Sequence, residues 1–204
     1  MLPIADREIE TALLSLSNAA YYAPATFSNG PSSYALASKT SAYTAIAWRG
    51  TESGLYQNWI SDLDAIPEYH PTLGWCHRGF LQAAIATYPQ AVQQAVIAPL
   101  VLTGHSLGAA VAVLTAALLR AAHIQIIRCS VFGCPNFTLN QNISALMHDV
   151  PGYRWRDGND PVPQVPPGFH IDRPTTQIGT DYPDPISAHM IDAYAAALNT
   201  VEWK

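Results

Sequence analysis

Apolar side chains recur along this chain with two spacings that take turns, which predicts helices and strands in succession. From Asp6 to Ala20 they fall at Ile9, Leu13, Leu16 and Ala20, one face of a helix. Asp6 is placed to cap that helix, and Glu8 and Glu10 suit the positive end of its dipole. Pro24 to Ser33 reads as loop. Tyr34-Ala-Leu-Ala-Ser38 and Tyr43-Thr-Ala-Ile-Ala-Trp48 then read as paired strands around a short polar turn, and Arg49-Gly50-Thr51 ends the second abruptly. Residues 52–62 set Leu55, Tyr56, Trp59 and Ile60 on one face of a short helix. That stripe fits either a small helix packed on the core or a cover over a site. Beyond a proline-bearing loop to Cys76, Phe80, Ala84, Tyr88, Val92 and Val96 step by four as a helix does. Pro89 inside this pattern is expected to kink the helix or begin a second one.

The most apolar stretch follows. Leu100-Val-Leu-Thr103 reads as a buried strand, Leu107 to Ala121 as an alanine-rich helix, and Gly104-His105-Ser106-Leu107-Gly108 joins them. Gln125 to Gly133 is a further strand, a helix is expected near Leu139 to His148, and Tyr153-Arg-Trp-Arg156 is another strand. Prolines are frequent from Asp157 to Ala188, but the strand-like Thr175 to Ile178 and a C-terminal helix argue against a linker there. Met190, Ile191, Tyr194, Ala195 and Leu198 form that last helix's apolar stripe. Strands alternating with helices predict one α/β domain over residues 1–204, with a mostly parallel central sheet flanked by helices.

Composition narrows the class. Of the 204 residues 49% are hydrophobic and 12% charged, about half the usual share of charge. The basic residues are scattered and the formal net charge is −5, which argues against nucleic acid as a partner. The longest apolar run, Leu107 to Leu119, is too short to span a bilayer. Met1-Leu-Pro-Ile-Ala-Asp-Arg-Glu lacks the basic start and apolar run of a signal peptide, which fits a cytoplasmic protein or export without a visible leader. Cys76, Cys129 and Cys134 are odd in number and without metal-ligand spacing, so buried thiols are expected and no metal or organic cofactor is called for.

The chemistry centres on Ser106. A strand that reverses into a helix within a few residues strains its central residue and needs glycine on either side, as Gly104-x-Ser106-x-Gly108 provides. A serine so mounted needs a neutral histidine to take its proton and a carboxylate to hold that histidine's tautomer. Such elbows carry the partners downstream in the order acid, then histidine, after later strands. His123 and His148 read as surface or packing residues and His170 as part of a strand or hairpin. His189 sits on a loop ahead of an amphipathic helix, placed to act as base. His105 alternates away from the serine and reads as structural. Among Asp157, Asp160, Asp172, Asp181 and Asp184, Asp160 is favoured because Gly158 and the prolines of Asp-Gly-Asn-Asp-Pro-Val-Pro would hold a rigid turn. Asp157 is its closest rival, with turn capping as its plainer role. Oxyanion donors are expected from the N–H of Leu107 and from Thr51, whose hydroxyl Asp62 could orient.

The chain resembles the class 3 (fungal-type) triacylglycerol lipases of the α/β-hydrolase superfamily. The resemblance runs through Trp48-Arg-Gly-Thr51, Asn58-Trp-Ile-Ser-Asp62, His77-Arg-Gly-Phe80 and Thr103-Gly-His-Ser-Leu-Gly108. It continues through Phe132-Gly-Cys-Pro135, Asn159-Asp-Pro-Val-Pro163 and His189 with Met190 and Tyr194. It implies the α/β-hydrolase fold, Ser106 as nucleophile, Asp160 as acid, His189 as base, Thr51 and Leu107 at the oxyanion hole with Asp62 supporting Thr51, and His77 as a structural loop residue. Residues 52–62 fall where such lipases carry a lid, so Leu55, Trp59 and Ile60 are candidates to line an acyl groove. The expected activity is hydrolysis of lipid acyl esters through an acyl-serine, with transient contact at a lipid interface. A phospholipase A1 or an acyltransferase would use the same triad, and a lipid-binding protein could keep the fold without turnover.

Overall fold

The computed structural model describes residues 4–29, 34–51, 64–96 and 98–203. Leu55, Trp59, Ile60 and Asp62, with the rest of 52–62, lie outside the described residues. The chain forms helix α1 (Ile4–Ala19) and strands β1 (Phe27–Ser28), β2 (Tyr34–Lys39) and β3 (Thr44–Trp48). Next come β4 (Pro67–His70), β5 (Gly74–His77), α2 (Arg78–Ala95), β6 (Leu100–Gly104) and α3 (Leu107–Ala121). Then follow β7 (Ile126–Cys129), β8 (Val131–Phe132), α4 (Asn142–Met147), β9 (Arg154–Asp157), β10 (Thr176–Ile178), α5 (Pro185–Ala188) and α6 (Ile191–Asn199).

The sheet runs β1-β2-β3-β6-β7 and continues as β8-β9-β10. Ser130 alone separates β7 from β8. Its N–H donates to Leu102 O and the Ser106 N–H donates to Phe132 O, so the two strands pass along β6 as one. From β3 onward all pairings are parallel, while β1 and β2 add antiparallel strands at one edge. This is the mostly parallel α/β sheet that the alternating pattern predicts.

Side-chain alternation along the strands divides the core in two. Ile46, Leu100, Leu102 and Val131 face one side with Phe80, Leu81, Val111 and Leu114 of α2 and α3. Ala45, Val101 and Phe132 face the other with Leu13, Leu14, Tyr194 and Leu198 of α1 and α6. β3 and β6 are buried along their whole length, as strands covered on both faces must be.

Three local expectations change. α2 runs through Pro89 as one helix instead of dividing there. Its buried residues Phe80, Leu81, Ala84, Thr87 and Ala91 lie on both sides of the proline, so packing against α3 holds the helix together across the lost hydrogen bond. Asp6 is no cap: α1 begins at Ile4, and the Asp6 carboxylate accepts from Arg128 and, at 2.6 Å, from the Tyr153 hydroxyl. Glu10 is fully buried and accepts from Ser130 Oγ, Trp155 Nε1 and Arg128 Nη1, tying α1 to the sheet. The loop expected before Cys76 contains the β4–β5 hairpin, with Gly74 at a φ of 76° where β5 leaves the turn.

Candidate active site

The elbow has the geometry its glycines imply. Ser106 lies at φ 59°, ψ −131°, strained for a residue with a Cβ. A Cβ on Gly104 would come 2.4 Å from Gly108 O, and one on Gly108 would come 2.1 Å from Trp48 O. The strand, the helix and the end of β3 therefore meet with no room for any other residue at these positions. Leu107 opens α3, where N–H groups lack partners within the helix. Thr51, half-buried, follows Gly50, whose own Cβ would stand 2.9 Å from the Ser106 Cβ. The end of β3 thus lies directly beside the serine.

Ser106, His189 and Asp160 come together although 83 and 29 residues separate the bonded pairs. His189 Nδ1 is 2.8 Å from Asp160 Oδ2 and His189 Nε2 is 2.9 Å from Ser106 Oγ, all three side chains fully buried. A carboxylate can only accept, so Nδ1 carries the proton and Nε2 is the bare nitrogen that receives the serine hydroxyl. Asp160 is held on several sides. Its N–H donates to Asp157 O, its Oδ1 accepts from Val162 N–H at 2.9 Å, and its Oδ2 accepts from the Tyr194 hydroxyl at 2.5 Å. Burial, and then the charge of Asp160, pushes the Tyr194 phenol well above its usual range, so it remains a donor.

The other acids have separate work. Asp172 is buried between Arg154 and Arg173, Asp184 caps α5 by accepting from Ile186 N–H, and Asp181 is exposed. Asp157 is buried, but its carboxyl caps no turn. Burial, and then Asp160, pushes its pKa up to about 6 against a smaller pull from Tyr182. His123 and His148 are exposed, and His170 pairs with Thr138 through backbone hydrogen bonds, so none of these histidines joins the site. His77 is buried, stacked on Phe80 at 4.1 Å, and burial lowers its pKa. His105 has the Tyr21 hydroxyl and the His189 carbonyl as partners. The three cysteines are free and buried. Among the described residues no group of metal-ligating side chains gathers and no helix is long and apolar enough to cross a membrane.

Tyr194 lies in the stripe that reads as apolar in the sequence, yet its hydroxyl bonds Asp160 Oδ2. The signal was a phenol on a face otherwise made of hydrocarbon, whose hydroxyl needs a buried acceptor.

A serine on a strand-to-helix elbow, with acid and histidine delivered later in the chain to the same sheet edge, defines an α/β-hydrolase. The family model described as lipase (class 3) matches residues 45–170, and the chain belongs to that family. The triacylglyceride lipase of Rhizomucor miehei superposes with a TM-score of 0.57 at 24% identity, over 72% of this chain and 62% of its own. A triacylglycerol lipase whose catalytic centre is a serine protease triad matches with a TM-score of 0.53 at 25% identity, over 67% of this chain and 57% of its own. The mono- and diacylglycerol lipase of Aspergillus oryzae matches with a TM-score of 0.62 at 20% identity, over 88% and 80%. The chain therefore spans about three fifths of the length of the first two lipases. Comparison with curated protein sequences returned no significant match.

Proposed function

We propose that this chain is a serine hydrolase of carboxylic esters of lipids, with Ser106 as nucleophile, His189 as base and Asp160 as acid. The observation that carries the reading is the unbroken hydrogen-bond line from Asp160 through His189 to Ser106. In the reaction Ser106 Oγ attacks the ester carbonyl while its proton passes to His189 Nε2. Asp160 keeps the imidazolium oriented without taking its proton. The N–H of Leu107 and the N–H and hydroxyl of Thr51 receive the oxyanion, with Asp62 orienting that hydroxyl. His189 then protonates the departing alcohol, leaving acyl-Ser106. Water then attacks the acyl carbonyl while His189 Nε2 takes its proton, and His189 returns that proton to Ser106 Oγ as the C–Oγ bond breaks and the carboxylic acid leaves.

Residues 1–204 form one domain. Residues 52–62 act as a short lid, with Leu55, Trp59 and Ile60 along the acyl chain and in transient contact with a lipid surface. The lipid preference is supported by membership of the class 3 lipases and by the apolar stripe of that segment. The test is hydrolysis of p-nitrophenyl esters from acetate to palmitate, each below and above its solubility limit, with Ser106→Ala as the blank. Turnover above the blank that rises at the onset of emulsion is the expected result. No turnover above the blank on any ester overturns the proposal.

A further inference from the structure

The His105 imidazole has no accessible surface, and a buried polar ring is a costly filler where Phe or Leu would pack. Both of its nitrogens are matched. Nε2 lies 2.8 Å from the backbone carbonyl oxygen of His189, which can only accept, so Nε2 bears a proton. Burial, and then the neighbouring His189, pushes the His105 pKa well below its usual value, so the ring is neutral. Nδ1 is therefore a bare lone pair, and the Tyr21 hydroxyl donates to it at 2.7 Å. One tautomer satisfies both contacts.

The ends of this line are the two halves of the site. Tyr21 follows α1, its N–H bonded to Asn18 O. Its hydroxyl lies over Gly50, where a Cβ would come within 2.3 Å of it. At the other end His189 closes α5, a helix of four residues. Helix C-termini leave carbonyls without donors in the helix, and His105 supplies one. The His105 ring also stacks on that of His189, centroids 4.7 Å apart and planes 29° from parallel. Tyr194 meets His105 edge-on at 5.7 Å.

We propose that Tyr21 and His105 are positioning residues for the base, a hydroxyl–imidazole–carbonyl strut that holds His189 against Ser106 and ties it to the strand end bearing Thr51. The inference rests on the ester-hydrolase reading of Ser106 and His189. The hydroxyl of Tyr21 keeps the His105 proton on Nε2. Without it the neutral ring is free to move that proton to Nδ1 and turn a lone pair on the His189 carbonyl. The neutral state matters too, because a cationic ring stacked here would oppose the positive charge that His189 acquires during turnover.

The test uses Tyr21→Phe, His105→Phe, the double variant and His105→Gln, whose amide can donate to the carbonyl and accept from Tyr21. With a short p-nitrophenyl ester, kcat is expected to fall about tenfold for Tyr21→Phe and about a hundredfold for His105→Phe, with KM moved less than about threefold. The double variant is expected to match His105→Phe, since the two groups act as one unit, and His105→Gln to recover most of the loss. Phosphonylation of Ser106 by a fluorophosphonate should slow in the same order. In ¹⁵N-histidine NMR, wild-type His105 should show a protonated Nε2 and a bare Nδ1. Unchanged kcat and phosphonylation rates, additive losses in the double variant, or a protonated Nδ1 would each overturn the strut. A wild type that turns over no ester yet is phosphonylated more slowly in these variants would refute the hydrolase reading and leave the strut standing.

Discussion

Asp157 and Asp160 stand three residues apart, both fully buried, at the turn that ends β9. Replacing each by asparagine should separate two effects that a single buried carboxyl would merge. Asp160→Asn presents an amide N–H to His189 Nδ1 and favours the wrong tautomer, a loss in kcat on the order of 10⁴ in comparable triads. Asp157→Asn should leave kcat nearly unchanged, because no hydrogen bond joins its carboxyl to His189. Its effect is on stability. The Asp157 pKa rises from 3.8 to about 6 on folding. At about 1.36 kcal/mol per unit this sets a ceiling of about 3 kcal/mol, and solvent screening beside the partly exposed Asn159 reduces it to about 1–2 kcal/mol. The sign follows from proton binding. Between these pKa values the folded protein holds a proton that the unfolded chain has released. The favourable contribution is therefore complete below pH 3.8 and is lost as pH rises through about 6. Urea unfolding of wild type and Asp157→Asn from pH 4 to pH 8 should show the variant gaining on wild type over that interval and no further above about pH 7. A stability difference that does not move with pH refutes the buried-charge argument. Loss of turnover in Asp157→Asn with turnover kept in Asp160→Asn refutes the choice of acid.

Two further substitutions probe groups that sequence alone did not place. Tyr194→Phe removes the hydroxyl bonded to Asp160 Oδ2, and kcat should fall about tenfold, equivalent to about 1.4 kcal/mol, with the loss seen in single-turnover acylation and little change in KM. An unchanged acylation rate would reduce Tyr194 to packing. Glu10→Ala leaves Arg128, Ser130 and Trp155 without a shared buried acceptor and should cost about 3 kcal/mol in urea unfolding, and a loss below about 0.5 kcal/mol would mean that Asp6 alone satisfies Arg128.

The parts of the molecule that were legible in the sequence are those where one local rule decides. The alternation of periods gives β3, α2, β6, α3 and α6 because each is long enough to show its spacing, and the elbow is legible because glycine is obligatory there. The β4–β5 hairpin escaped because Pro67-Glu-Tyr-His70 has no apolar alternation to report. Tyr69 and Trp75 pair across it largely in solvent. Asp6 looks like a helix cap and Glu10 like a complement to the helix dipole, yet their partners Arg128 and Ser130 lie more than a hundred residues away. No local rule reaches so far. Tyr21 is hidden for the same reason, as its bond to His105 spans 84 residues.

What makes those distant bonds reproducible is the register of the parallel ladder. Trp48 pairs with Gly104, His105 bridges Phe132, and Phe132 pairs with Trp155. The residues that follow these positions, Thr51, Ser106 and Asp160, therefore emerge at one edge of the sheet. A slip of one residue in any strand would exchange its two faces and withdraw its contribution. The slip is opposed from below by Arg154, fully buried, which bonds the Asp172 carboxylate through two nitrogens and donates to Cys129 O on the neighbouring strand. Such a pair is a poor source of net stability, because desolvation offsets most of its attraction. It penalises misregistration far more than it rewards folding, since a shifted β9 would leave a guanidinium and a carboxylate buried apart. In a chain with 12% charged residues, placing a full ion pair under the strand that delivers the acid is an arrangement for precision at the site.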